Sequence, residues 1–206
     1  RHILTSFEEL PIAGEYIHRD AFNIAEKYGK DTFAIIRLLG TRFLPRFFAM
    51  KSRFDILAQR FGFLPHNTSD VVMQALSKVL PKQLPQRMCD YRDRFEHHLM
   101  LKVSAEMAGP IGDYLKEFFS QASGDYFECT PDEGAKAFLH RFAAAGAAVR
   151  YRAVHPKEAE DIVALDVALR RNDREWFETL PQEIEDKLIV KLYYGHFFCH
   201  VMHQDY

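Results

Sequence analysis

The sequence predicts an α+β fold, with helices on one face of a sheet and a basic helical block set into it. Two observations carry the prediction. From Tyr91 to the end of the 206-residue chain, stretches of apolar alternation take turns with helical ones, the pattern of helices laid on a sheet. Ahead of them, residues 37–94 hold eleven Lys/Arg against four Asp/Glu, a local net of +7. The whole chain is −2, so the remainder carries −9.

Taken in order, residues 15–39 read as helical. Asp20 can cap the run, and Phe22, Ile24, Ala25 and Tyr28 start a helical pattern that pauses at Gly29 and resumes over 32–39. A short helix is expected at 69–80, ended by Pro81 and Pro85. Residues 96–103 place Leu99, Leu101 and Val103 on one face and His98, Met100 and Lys102 on the other, a half-buried strand. Residues 112–121 read as a helix and 125–129 as a short strand. Thr130-Pro131-Asp132-Glu133 is a helix start with Thr as cap, Pro at the first position and Glu closing a capping box. The alanine-rich run to Ala148 completes that helix. Residues 149–154 read as a strand, 156–171 as a helix opened by Pro156, 181–187 as a last short helix, and 189–203 as one long strand.

The basic block is also aromatic. It carries Phe43, Phe47, Phe48, Phe54, Phe61 and Phe63, and Leu-Pro dipeptides at Leu44, Leu64, Leu80 and Leu84. Phe47, Met50, Phe54, Leu57 and Phe61 recur at spacings of three and four, a narrow stripe on one helix. Arg46 and Lys51 flank the stripe, and Arg53 and Arg60 stand further round. Aromatics bordered by long cations suit a helix lying in a bilayer interface. The expected membrane-binding residues are Arg42, Arg46, Phe47, Lys51, Arg53, Phe54, Arg60, Lys78 and Lys82. An amphipathic helix packed on its own domain is the other reading. Nucleic acid ranks below both, because no reading helix, zinc knuckle or stacking sheet accompanies the charge.

With 48% hydrophobic residues the chain can build a core, and no window of eighteen uninterrupted apolar residues crosses a bilayer. Cys89, Cys129 and Cys199 form no CxxC pair and read as reduced, cytosolic thiols. The chain starts at Arg1 and stops inside an aromatic run at Tyr206, so it is expected to be a piece of a longer protein.

Four blocks carry a resemblance: PIAGEYIHRDAFNIAEKYGKDTF near the start, YRDRFEHHLMLKV at 91–103, FLHRFAAAGAAVRYRAVHPKEAEDIVALDVALRRND at 138–173, and KLYYGHFFCHVMHQDY at the end. In these the chain resembles the membrane-associated, quinone-dependent D-lactate dehydrogenases of bacteria. The resemblance implies an antiparallel-sheet cap domain (residues 1–40 and 91–206) with a membrane-binding insertion at 41–90. It implies a flavin domain outside this chain. The implied activity is oxidation of D-lactate to pyruvate with non-covalent FAD, electrons passing to a membrane quinone of the respiratory chain. The implied place is the cytoplasmic face of the bacterial inner membrane, on an anionic phospholipid surface and without nucleic acid. A stand-alone module for acidic membrane surfaces is the alternative. The fragment alone is expected to be inactive.

Oxidising a 2-hydroxy acid needs a cation for the carboxylate and a base for the hydroxyl proton. Arg141 and Arg150 flank the stretch around Gly146, and an arginine fork binds a carboxylate bidentately. The resemblance makes this pair the substrate-binding residues. It makes His196 the catalytic residue. In the wider group of flavin 2-hydroxy-acid dehydrogenases a Gly-His followed seven residues later by His holds a divalent metal, and Gly195-His196 with His203 keeps that spacing. In an unbroken strand residues seven apart face opposite sides, so His196 and His203 share a metal only if the chain bends between them. The third ligand, a glutamate, is expected beyond Tyr206.

Overall fold

The computed structural model describes residues 2–206, apart from the side chains of His2 and Arg141. In chain order the elements are α1 (His2–Ser6), β1 (Ala13–His18), α2 (Arg19–Tyr28), α3 (Lys30–Leu39), a 3-10 turn (Thr41–Phe43), α4 (Leu44–Gln59), α5 (Thr68–Val79) and α6 (Gln86–Arg94). There follow β2 (His97–Lys102), α7 (Ala105–Gln121), α8 (Pro131–Val154), β3 (Ala164–Ala168), α9 (Gln182–Glu185), β4 (Leu192–His196) and β5 (Val201–Asp205). The strands form one antiparallel sheet in the order β2-β1-β4-β5-β3. This is the α+β architecture that the sequence predicts.

The register sorts side chains cleanly. Ile17, Tyr194 and Leu192 share the face that joins Ala21, Phe22, Ala25 and Tyr28 of α2 and Ala137, Ala143, Ala144 and Ala147 of α8 in one buried cluster. The alanines let α2 and α8 approach closely. A Cβ on Gly29, at the end of α2, would lie 2.9 Å from the Ala143 carbonyl oxygen. Tyr16, His97 and Tyr193 are on the opposite face, where the Phe177 ring packs against all three.

α8 begins as expected. Thr130 Oγ1 accepts from Glu133 N–H, and the Glu133 carboxylate accepts from Thr130 N–H. Its far end differs from the expectation, because residues 149–154 continue the helix instead of forming a strand. The helical path keeps Arg150 among buried acids and stacks Tyr151 on His155, and the helix stops where Pro156 restrains the residue before it.

Six other expectations are corrected. Residues 15–18 belong to a strand, held by β2 on one side and β4 on the other, and His18 rather than Asp20 caps α2, accepting from the Asp20 N–H. Residues 156–171 give turns and then β3, whose alternating Leu165, Asp166 and Val167 pair with β5. Residues 125–129 pair with no strand, and the helix expected at 112–121 starts earlier, at Ala105. The long strand at 189–203 is a hairpin. His200 turns it in the left-handed region (φ 53°), and the Phe197 N–H donates to the Gly14 carbonyl at 3.0 Å.

Gly195 is where the hairpin closes most tightly. A Cβ there would lie 2.3 Å from the Val201 carbonyl oxygen and 3.0 Å from Met202 Cα. Gly195→Ala is therefore expected to destabilise the fold by about 1–3 kcal/mol, read as a lower denaturant midpoint.

His140 on α8 is buried between Phe22 and Phe33, and burial pushes its imidazole from 6.5 down to about 4. Below the unfolded value the folded chain binds fewer protons than the unfolded one. Its contribution to stability is therefore complete above pH 6.5 and lost progressively as pH falls from 6.5 toward 4. His140→Leu is expected to flatten that acid limb, by roughly 1 kcal/mol per pH unit, in denaturant midpoints measured across the window.

Candidate functional site

Two regions gather the candidate residues: a cationic, apolar surface on α4 and α5, and a polar row across the sheet.

α4 packs against α5 and the 3-10 turn and buries Ala58. Asp55 joins the two helices: its carboxylate accepts from the Ser69 N–H at 2.8 Å and from the Ser69 hydroxyl at 2.5 Å. Most of the other apolar side chains on this pair turn outward. Phe48, Met50, Phe54, Ile56 and Leu57 of α4, Phe61 and Phe63 of the following turn, and Val71, Val72, Leu76 and Val79 of α5 are exposed, Phe63 and Val79 by 80% and 81%. Leu38 and Leu39 at the end of α3 continue the patch. Exposed apolar side chains this concentrated mark an interaction surface. Arg42, Arg46, Arg53, Arg60, Lys78 and Lys82 are exposed around it, and Phe47 is half-buried beside Phe48. Among the described residues no helix is long and apolar enough to cross a membrane.

Lys51 departs from this group. Its ammonium is 2.7 Å from Asp70 Oδ1, with the side chain largely covered. Asp70 Oδ1 also accepts from Arg150 Nε at 2.7 Å, and Arg150 Nη2 donates to Asp31 Oδ2 at 2.9 Å. Asp31 and Asp70 lie in the first turns of α3 and α5, so Arg150 bridges two helix N-termini from α8. Arg150 is 4% exposed. The structure thus corrects two expectations: Arg150 is spent on buried aspartates rather than presented to a substrate, and Lys51 belongs to the same cluster rather than to the outer surface. The Arg141 side chain, the other expected carboxylate ligand, lies outside the described residues.

The polar row crosses four of the five strands. Glu15 pairs directly with His196, and His203 with Asp166, while His196 and His203 are diagonal neighbours across the β4–β5 hairpin. All four therefore share one face. His196 Nδ1 lies 3.0 and 3.2 Å from the Glu15 carboxylate oxygens. His203 Nδ1 hydrogen-bonds to Asp166 Oδ1. The two imidazoles meet edge to face with centroids 5.3 Å apart. The bend that a shared site requires is present, because four residues of turn separate His196 from Val201.

Glu15 also lines a half-open, largely apolar groove of about 1910 Å³ between β2, α7, the 123–130 segment and the start of α8. Leu99, Leu101, Ile111 and Phe119 supply apolar walls. Lys102 is the one Lys/Arg among the described residues lining it, and the register puts it on the Glu15 face, one diagonal step away. Burial pushes His98, at the same groove, down to about 4 and keeps it neutral.

Glu15, Asp166 and Lys102 were not among the sequence candidates. Glu15 and Asp166 fall in segments that read as helices, so their cross-strand partners were invisible. Lys102 had the alternation of a strand but no sign of what faced it.

The described residues fit neither of the implied cofactors as hosts. They contain no group of three His/Cys/Asp/Glu able to hold a metal ion. They contain no strand, glycine-rich turn and helix in succession to cradle a dinucleotide.

The family model described as D-lactate dehydrogenase, membrane binding, matches residues 1–206. The chain is similar to quinone-dependent D-lactate dehydrogenases of Escherichia coli (57% identical over 206 residues, 100% of the chain) and Haemophilus influenzae (56% over 207 residues, 100% of the chain). The relative from Corynebacterium glutamicum is 49% identical over 199 residues, 96% of the chain. The chain spans about a third of the length of these relatives: 36%, 37% and 35%.

Removing the Arg150 charge strands two buried carboxylates with Lys51 as their remaining cation. Arg150→Leu is expected to destabilise the fold by about 3–5 kcal/mol in chemical denaturation. Asp31→Asn and Asp70→Asn in the same chain are expected to restore much of that loss.

Proposed function

Because this chain belongs to the membrane-binding family of D-lactate dehydrogenases, we propose that it is the cap and membrane-docking part of a quinone-dependent enzyme that oxidises D-lactate to pyruvate. The observation that carries the reading is the joint exposure of apolar side chains and arginines on α4 and α5. In this reading residues 41–90 form the docking insertion, and 1–40 with 91–206 form the cap. The anionic headgroups of the cytoplasmic face of the inner membrane pair with Arg42, Arg46, Arg53 and Arg60 while Phe54, Leu57 and Phe61 enter the acyl boundary. FAD and the hydride chemistry it supplies belong to the rest of the polypeptide, as does the quinone reaction.

The cap contributes the acid–base end of the reaction. His196, at the hairpin, accepts the hydroxyl proton of the substrate. Lys102 replaces Arg150 as the cation for the carboxylate, since it faces the groove with Glu15. A lysine binds a carboxylate as a point charge rather than as a fork.

Two measurements test the reading. The full-length protein is expected to show a flavin absorbance spectrum that bleaches on addition of D-lactate and recovers with quinone; vesicle binding without bleaching would favour a non-catalytic docking module. For docking, each cation near an anionic surface contributes about 1 kcal/mol. Replacing Arg42, Arg46, Arg53 and Arg60 with Gln is therefore expected to weaken co-sedimentation with anionic vesicles by about a thousandfold. Neutral vesicles should show little difference, and equal binding of the variant to anionic vesicles would remove the electrostatic account.

A further inference from the structure

We infer that Glu15 and Asp166 are positioning residues that aim a pair of histidines at the substrate hydroxyl, Glu15 through His196 and Asp166 through His203. The inference rests on the proposed role of His196.

The arrangement is a four-member row, with one member each from β1, β4, β5 and β3: carboxylate, imidazole, imidazole, carboxylate. Each carboxylate meets Nδ1 of its histidine. An imidazole whose Nδ1–H is donated to a carboxylate presents Nε2 as the acceptor, and its ring is held against rotation. Both rings are so oriented, and Tyr194 stacks on His203 with centroids 5.2 Å apart while its hydroxyl donates to Asp205 at 2.9 Å. When a hydroxyl O–H breaks and the proton forms a bond to His196 Nε2, an alkoxide and an imidazolium result. Glu15 lies where it stabilises that cation without itself taking the proton.

Glu15 is 7% exposed, so its carboxylate meets partners within the fold rather than water. The Asp166 side chain is 73% exposed, so its pair with His203 adds little to the fold. Among the described residues of the sheet, the titratable groups facing the histidine pair are Glu15 on β1, Asp166 on β3, Tyr194 on β4, Asp205 on β5 and, one diagonal step past Glu15, Lys102 on β2. Burial pushes the Asp205 carboxyl up.

The test uses the full-length enzyme with D-lactate and a soluble quinone, comparing wild type with Glu15→Gln, Glu15→Asp, Asp166→Asn and His196→Ala. Losing the carboxylate frees the ring to rotate and leaves the imidazolium without its partner, so Glu15→Gln is expected to slow proton abstraction. It should lower kcat by about tenfold or more with a much smaller change in KM. Glu15→Asp should recover part of the lost kcat. Asp166→Asn, at an exposed position, leaves folding intact and lowers kcat with the same small change in KM; it decides the matter if Glu15→Gln fails to fold. An active wild type whose kcat is unchanged in both carboxylate variants overturns the inference, as does undiminished turnover by His196→Ala. A wild type that does not oxidise D-lactate overturns the reading beneath it.

Discussion

The fold hangs on one buried arginine. Arg150 leaves α8 near its C-terminal end and satisfies Asp31 at the start of α3 and Asp70 at the start of α5, while Lys51 of α4 closes on Asp70 from outside. Ions of both signs out of water are tolerable only when each finds its partners. Moving any one of these four helices strands a charge, so the cluster fixes where they meet. Apolar packing would not do the same here, because α4 buries little except Ala58 and its apolar side chains face outward. A helix that keeps its aromatics on the outside needs a polar clasp to its own domain, and Lys51–Asp70 with Asp55–Ser69 is that clasp.

The same economy of apolar contact appears at the sheet. β1 is an interior strand, paired on both sides, and must be placed before the rows on either face exist. Ile17 anchors it to α2 and α8, and Glu15, two residues earlier on the same face, is thereby delivered to His196. Gly195 lets β5 come close enough behind β4 for His203 to reach the neighbouring imidazole. The polar row is a by-product of register: once the hydrophobic residues choose their face, the alternate positions follow with period two.

What could be read from the sequence was local. The Thr130 capping box, the helix at 68–79, the strand at 97–102 and the cationic, aromatic character of 37–94 all rest on neighbours within a few residues. What could not be read depended on distant partners. Residues 149–154 alternate like a strand, but Arg150 has its aspartates 119 and 80 residues away, and these draw it into the helix. The hairpin at 196–201 lacks Gly, Pro or Asn; its turn is Phe197-Phe198-Cys199-His200, held by Phe197 against Gly14 and by His200 in the left-handed region. Glu15 and Asp166 were lost with the strands that carry them, and Arg150 looked like a ligand because its acids lie so far off in sequence.

α8 sets the distance between the two candidate regions. Ala137 and Phe138 line the groove beside Glu15, whereas Arg150 and the Ala153 carbonyl hold α5, the latter accepting from Asn67. At 1.5 Å per residue, the sixteen steps from 137 to 153 make a strut of about 24 Å. A polar substrate and a bilayer make opposite demands: one needs a water-filled approach and fixed charges, the other an apolar face with mobile cations. On the proposed reading a rigid helix keeps them apart. Its alanines press it onto α2 along the middle, so the strut cannot flex without opening the core. On that reading a docked α4–α5 pair fixes the height of the groove above the surface through the Arg150 cluster, and the cluster transmits position without contributing any side chain to the proposed chemistry.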